Sequence, residues 1–142
     1  MTAKDYLMKI QIHKRTIESV QQKIETLYNE AAGIKAIVYD KDHVQTSQEN
    51  RMEEIMIRID AESQKWVRMR IRYEREVRKR VDQISKLGNP DYSELLMLRY
   101  VDLDDGRQRS LEEIAYRMHK SYQRVRHMHG EALEAFRRKY LS

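Results

Sequence analysis

Residues 110–136 read SLEEIAYRMHKSYQRVRHMHGEALEAF. Two helical patterns stand in this stretch, about three residues apart, which is the spacing of a helix-turn-helix. Ser110 opens the first, with Glu113 three residues on, the signature of a capping box. Leu111, Ile114, Ala115 and Met118 then fall on one face at helical spacing. The pattern stops at His119-Lys120, and Ser121 is a good N-cap for the second helix. Val125, Met128, Ala132, Leu133 and Phe136 give that helix its buried stripe. Its other face shows Tyr122, Gln123, Arg124, Arg126 and His127 near the N-terminus. A DNA-reading helix places such groups there, because Arg and Gln make bidentate bonds to base edges and Arg also neutralises phosphate. The competing reading is a pair of surface helices with a charged outer face.

Immediately upstream, Gly88-Asn89-Pro90 ends one helix and starts another. Gly suits the position after a helix, Asn the N-cap and Pro the first helical turn. Residues 91–102 then form a short helix, with Tyr92, Leu95, Leu96, Leu98 and Val101 available for burial. Asp102, Asp104, Asp105 and Gly106 form an acidic loop, either solvated or orienting neighbouring basic groups.

Residues 92–137 resemble the C-terminal promoter-reading module, region 4, of bacterial sigma-70 factors. Leu98-Arg99-Tyr100, Leu103-Asp104-Asp105-Gly106, Leu111-Glu112-Glu113-Ile114-Ala115, Ser121, Arg124-Val125-Arg126 and Ala132-Leu133 carry the resemblance. It implies a helical bundle whose last helix enters the major groove of duplex DNA. It further implies base contacts by Tyr122, Gln123 and His127, and phosphate contacts by Ser121, Arg124, Arg126 and Lys120. The turn departs from the family, which usually has Gly and then an aliphatic residue where His119 and Lys120 stand. His accepts a positive φ better than most non-glycine residues, so the turn survives at a cost of about 1–2 kcal/mol. Lys120 can lay its stem over apolar surface. Gly130 lies inside the second helix, at roughly 1 kcal/mol relative to Ala.

The N-terminal half holds a heptad pattern from Thr2 to Ala32. Ala3, Ile10, Ile17, Ile24 and Ala31 occupy one seam position, and Tyr6, His13, Val20 and Leu27 the other. Such a seam needs a partner, either the next long helix or a second copy of the chain. His13 reads as a device that fixes register, with a metal ligand as the alternative. Gly33 predicts the stop. Residues 33–50 break the pattern, although Ile37, Val38 and Tyr39 are apolar enough to pack. Asp40, Asp42 and His43 lie close together, but no distal cluster matches them as metal ligands.

A second long helix is predicted from Arg51 to Leu87, with Met52, Ile55, Ile59, Trp66, Met69 and Tyr73 in one stripe. Val77, Val81 and Ile84 continue it after a stutter. Its middle is basic: Lys65, Arg68, Arg70, Arg72, Arg75, Arg78, Lys79 and Arg80 against Glu74 and Glu76. Two readings stand. One is a solvated face with pairs such as Glu74–Arg78 and Glu76–Arg80. The other is an auxiliary phosphate-tracking surface of Arg68, Arg72, Arg75 and Lys79. The chain is thus read as all-α, with a helical hairpin or coiled-coil oligomerisation arm over 1–87 and the helix-turn-helix domain over 88–142.

Hydrophobic residues make up 40% of the 142 and charged residues 36%, a balance that favours long solvated helices over one large core. The absence of cysteine excludes disulfides and thiolate metal sites and fits a reducing cytoplasm, and the sigma resemblance implies that of a bacterial cell. No apolar run is long enough to span a membrane, and the start MTAKDYLMKI lacks a signal-peptide core. A net charge of +5 is compatible with a polyanionic partner.

Taken whole, the chain also resembles small phage and prophage proteins of Gram-positive bacteria, the sigma-like proteins grouped beside late-gene transcription activators of the ArpU and RinA types. The marks are Lys4-Asp5-Tyr6-Leu7, His43-Val44-Gln45-Thr46-Ser47, Gly88-Asn89-Pro90 with Leu98-Arg99-Tyr100, and His129-Gly130-Glu131-Ala132-Leu133. No segment resembles the sigma domain that melts promoter DNA, and Trp66 sits on an apolar stripe.

The expected function is therefore a phage transcriptional regulator that binds double-stranded DNA as a homo-oligomer, a dimer in the first instance. The alternatives are a packaging component like a small terminase subunit and an adaptor that binds RNA polymerase, which region 4 of sigma factors also contacts. No nucleophile–base pairing, phosphate-cradling Gly loop or metal-ligand spacing is present, so neither enzyme activity nor a cofactor is expected.

Overall fold

The computed structural model describes the backbone of residues 1–40 and 46–141, and the side chains of 1–34 and 50–141. Among the described residues the only regular elements are helices: α1 (Ala3–Asp40), α2 (Thr46–Ser85), α3 (Pro90–Leu96), α4 (Leu111–Met118) and α5 (Tyr122–Phe136). Two π-helical turns, Met97–Val101 and Arg137–Leu141, extend α3 and α5. No described helix is long and apolar enough to cross a membrane.

The long helices differ from expectation at their ends. α1 runs through Gly33 to Asp40 rather than stopping at Ala32. Gly33 has no positive φ, and a helical glycine without a left-handed cap costs only about 1 kcal/mol, too little to end a helix by itself. Asp42 and His43 lie outside the described residues, as do the side chains of Ile37, Val38, Tyr39 and Asp40.

Two compact units divide the chain: Met1–Arg15 with Tyr73–Ser142, and Thr16–Arg72. The change of element at 87–88 is therefore not a break in packing. The core of the first unit takes Ala3, Leu7 and Ile10 from α1 and Ile84 from α2. Leu95, Leu96, Tyr100, Ile114, Ala115, Met118, Val125, Met128, Ala132 and Phe136 complete it. Tyr100 and Phe136 are its largest fully buried side chains. Tyr6 leans on Phe136 at 5.7 Å between ring centroids and donates its hydroxyl to Gln83 Oε1 at 2.7 Å.

Arg80 is a charged member of this packing, and it corrects the picture of a uniformly solvated basic run. It is 5% exposed. Its Nε donates to the Tyr6 carbonyl at 3.1 Å, its guanidinium covers the Tyr6 ring at 4.3 Å, and it meets the Glu76 carboxylate at 2.8 Å. A buried guanidinium persists only where its donors are taken up in this way. The Arg80 hydrogen bond also holds the Glu76 carboxyl below its usual range.

In the Thr16–Arg72 unit, the described buried side chains are Val20, Ile24, Ile59 and Ser63. Arg70 donates to Gln21 Oε1 at 2.6 Å, and Lys23 Nζ lies 4.2 Å from the Trp66 ring centroid. Leu27 and Glu62 share a groove. Partners rise along α1 as they fall along α2, so these two segments run antiparallel. Trp66 is half-buried beneath Lys23 and Lys65 rather than enclosed. Within the first unit, His13 is half-buried with its ring 5.0 Å from that of Tyr73, and its Nδ1 has no hydrogen-bond partner among the described residues.

Candidate nucleic-acid interface

Local chemistry fixes how α3, α4 and α5 begin. Asn89 accepts from the Asp91 and Tyr92 amides, Pro90 takes the first turn, and Gly88 carries φ 97°. Ser110 Oγ accepts from Glu113 N, and Ser121 Oγ from Arg124 N, each at 3.1 Å. The Ser110 box is only half formed. The Glu113 carboxylate turns away from the Ser110 amide to bind Arg109 at 2.9 Å and Arg117 at 3.4 Å. Arg109 is itself buried and also donates to the Asp102 carbonyl, so an ion pair outcompetes a second capping bond.

The short helix expected over 91–102 ends instead in a π turn, in which Asp102 N reaches the Met97 carbonyl at 2.8 Å. Lys14 and Arg109 donate to the carbonyls of Val101 and Asp102, satisfying acceptors that a helix end leaves free. Asp104 and Arg107 pair backbone to backbone around Asp105 and Gly106, both at positive φ. Asp102 thus orients a basic group, whereas Asp104 and Asp105 are solvated.

Between α4 and α5 the chain turns at His119, which adopts φ 55°, ψ 41°. The amides of His119 and Lys120 bond back to the Tyr116 and Ala115 carbonyls, closing α4. The left-handed conformation that Gly would take at little steric cost is here carried by His.

α5 has two faces of opposite character. Val125, Met128, Ala132 and Phe136 are buried, as the spacing predicts, and Leu133 is half-buried. His129 faces inward too: its Nε2 lies 2.9 Å from the Tyr100 hydroxyl, with the rings stacked at 5.9 Å. Burial, reinforced by Arg99 and Lys4, lowers the His129 pKa to about 4, and burial raises Tyr100 to about 12. At neutral pH both groups are therefore uncharged, and the imidazole tautomer sets the direction of the hydrogen bond between them.

The outer face carries the predicted contact residues. Tyr122, Gln123, Arg124 and Arg126 are exposed, and their side chains make no hydrogen bond or ion pair among the described residues. The other three are partly engaged. Ser121 uses its hydroxyl oxygen as the cap. Lys120 is half-buried with Nζ 3.9 Å from Asp91. His127 projects into solvent but lies 3.4 Å from Glu131. Arg68, Arg72, Arg75 and Lys79 on α2 are exposed, the first two in one unit and the last two in the other.

Three features escaped the sequence reading. Tyr116 on α4 is 83% exposed, the most exposed large aromatic among the described residues. Its position off the Leu111–Met118 stripe was the available signal. Glu131 takes the Tyr92 hydroxyl at 2.7 Å as well as facing His127. That hydrogen bond to Glu131 raises the Tyr92 pKa. Finally, Gln123, Arg126, His127, Gly130, Glu131 and Glu134 line an open groove of about 650 Å³.

No group of three or more metal-ligating side chains is present among the described residues. No family model, curated protein or solved structure matches the chain.

Proposed function

We propose that this chain is a phage-derived transcriptional regulator that reads duplex DNA with α5, the second helix of a helix-turn-helix. One observation carries the reading. Tyr122, Gln123, Arg124 and Arg126 stand exposed, making no hydrogen bond or ion pair among the described residues, at a capped helix N-terminus whose opposite face buries Val125, Met128, Ala132 and Phe136. Those are the groups that bond base edges and phosphates, and a helix N-terminus itself favours anions. The resemblance to sigma region 4 assigns the same residues to DNA. The domain reading, with α3 to α5 as the reading head and an antiparallel hairpin of α1 and α2 as its arm, belongs to this proposal.

The test is selection of duplex fragments by the purified chain at about 150 mM salt. A short enriched site upstream of a phage operon is the expected result. With roughly four to six phosphates held, log affinity should fall against log salt with a slope near about −4 to −5. Gln123→Ala should relax preference at one or two base pairs by about 1–3 kcal/mol, while Arg124→Ala should weaken every site alike. A flat salt response overturns the proposal. Enrichment beside packaging genes by a large ring would replace it with the terminase reading.

A further inference from the structure

Within the Thr16–Arg72 unit, α2 turns one stripe toward α1. Ile59 and Ser63 are buried, Trp66 lies beneath Lys23, and Arg70 reaches Gln21. Positions 59, 63, 66 and 70 alternate by four and three residues, the spacing of a coiled-coil seam. Val20 and Ile24 of α1 are buried in the same unit, so the seam that required a partner finds one within the chain.

A second stripe is left over. Ile57, Gln64 and Ile71 recur every seven residues, and Val67 stands one turn before Ile71. At 3.6 residues per turn these positions lie about a third of a turn around α2 from the first stripe. Ile57 is 63% exposed and Ile71 40%, while Val67 is half-buried. Aliphatic side chains aligned at heptad spacing on an otherwise charged helix mark a face that docks another helix.

The charges along α2 decide what covers that face. From Arg51 to Glu62 stand four carboxylates and two arginines; from Ser63 to Arg72 stand four Lys or Arg and no carboxylate. Glu53, Glu54, Arg68 and Arg72 are exposed and make no ion pair among the described residues. A polyanion matches only the second half, and a parallel copy of the helix would lay like charge on like. An antiparallel copy lays the acidic half of each helix over the basic half of the other and gathers Ile57 and Ile71 of both into one strip.

We propose that this face of α2 is a self-association surface on which a second copy of the chain lies antiparallel. The twofold axis crosses the helix between Glu62 and Lys65, where the sign of the charge changes. The proposal does not depend on the DNA-binding reading.

The test follows the sedimentation mass of the full chain across concentration, with circular dichroism to check helix content. A dimer in equilibrium with the 17.2 kDa monomer is expected. Ile57→Asp combined with Ile71→Asp should weaken it at least about a hundredfold with helix retained, because both side chains are exposed in the single chain. Glu53→Arg combined with Glu54→Arg, and separately Arg68→Glu combined with Arg72→Glu, should each weaken it at least about tenfold. An equimolar mixture of these two charge-reversed chains should recover the dimer, since each then meets its opposite. If the aspartate substitutions cost helix, the charge reversals decide alone. A chain that stays monomeric at every concentration, or a dimer indifferent to the aspartates with helix intact, overturns the proposal, as does a ring of many copies. Charge reversals that leave the mass unchanged overturn the antiparallel arrangement. If Arg68→Glu with Arg72→Glu lowers duplex affinity while the mass stays the same, the basic half tracks phosphate and the self-association surface falls.

Discussion

In the unit formed by Met1–Arg15 and Tyr73–Ser142, side chains from five helices close around Tyr100 and Phe136. In Thr16–Arg72, described burial is confined to Val20, Ile24, Ile59 and Ser63, strung along two antiparallel segments. The first arrangement encloses its central apolar groups, such as Tyr100, Val125 and Phe136, on all sides. In the second, the polar pair Gln21 and Arg70 joins the two segments beside the buried seam. Where many short elements converge, residue identity is enforced by volume; along a pair of long helices it is enforced mainly by period.

The largest test of that contrast is Phe136→Ala. Truncating a fully enclosed aromatic should cost about 3–5 kcal/mol. The single tryptophan, Trp66, lies in the other unit and reports on it alone. Urea unfolding followed by circular dichroism should therefore shift to lower midpoint by more than unfolding followed by Trp66 emission. Equal shifts by both probes would show that the two regions unfold together and would dissolve the comparison.

Ile24→Ala probes the other side. A loss of about 2–3 kcal/mol is expected, toward the lower end for a buried aliphatic because the site can relax against solvent. Here the Trp66 midpoint should move more than the dichroism midpoint. A loss as large as that of Phe136→Ala would mean that the seam is enclosed after all.

The smallest effect is pH-dependent. His129 is held neutral, with its folded pKa lowered to about 4 from an ordinary value near 6.5. The unfolded chain therefore binds more protons between these values, and stability falls as pH drops through that window. His13, lowered chiefly by burial, contributes in the same sense. Above about 6.5 neither group matters. Glu134, held at about 2 first by its hydrogen bond from Arg137, gives up its contribution only as pH falls from 4.5 toward that value. Melting temperatures measured from pH 7.5 to 4.5 should decline for the unmodified chain and decline less for His129→Gln. Identical slopes would place the sensitivity elsewhere.

What was legible in the sequence was local. Ser110, Ser121 and Asn89 cap the helices they were expected to cap, and the stripes of α4 and α5 are buried in register. Even the departure at His119 was readable, since the left-handed turn is a backbone demand that His can meet. What was not legible depended on partners distant in sequence. Arg80 sits in a basic run, and only the carbonyl and ring of Tyr6 make it a core residue. Glu113 had the spacing of a capping box, but Arg109 offered a stronger bond. Tyr100 was not among the side chains expected to bury, although it stands four residues after Leu96; its hydroxyl finds a partner in His129, distant in sequence. For α5 the sequence reading did not bring out that Asp91 lies beside Lys120 and Glu131 beside His127.

The π turn at Met97–Val101 has a consequence for chain length. Such a turn carries one residue more than the α-helical repeat requires, like an insertion absorbed without breaking the helix. Deleting a residue from it would leave Leu95, Leu96 and every partner in α5 unchanged and would even regularise the backbone. Keeping all its residues but winding them as an α-helix would instead turn Tyr100 around the axis, away from His129. The placement of that pair is thus tied to how the backbone winds between two fixed points, so a change of helix type removes it while every side chain it uses is still present.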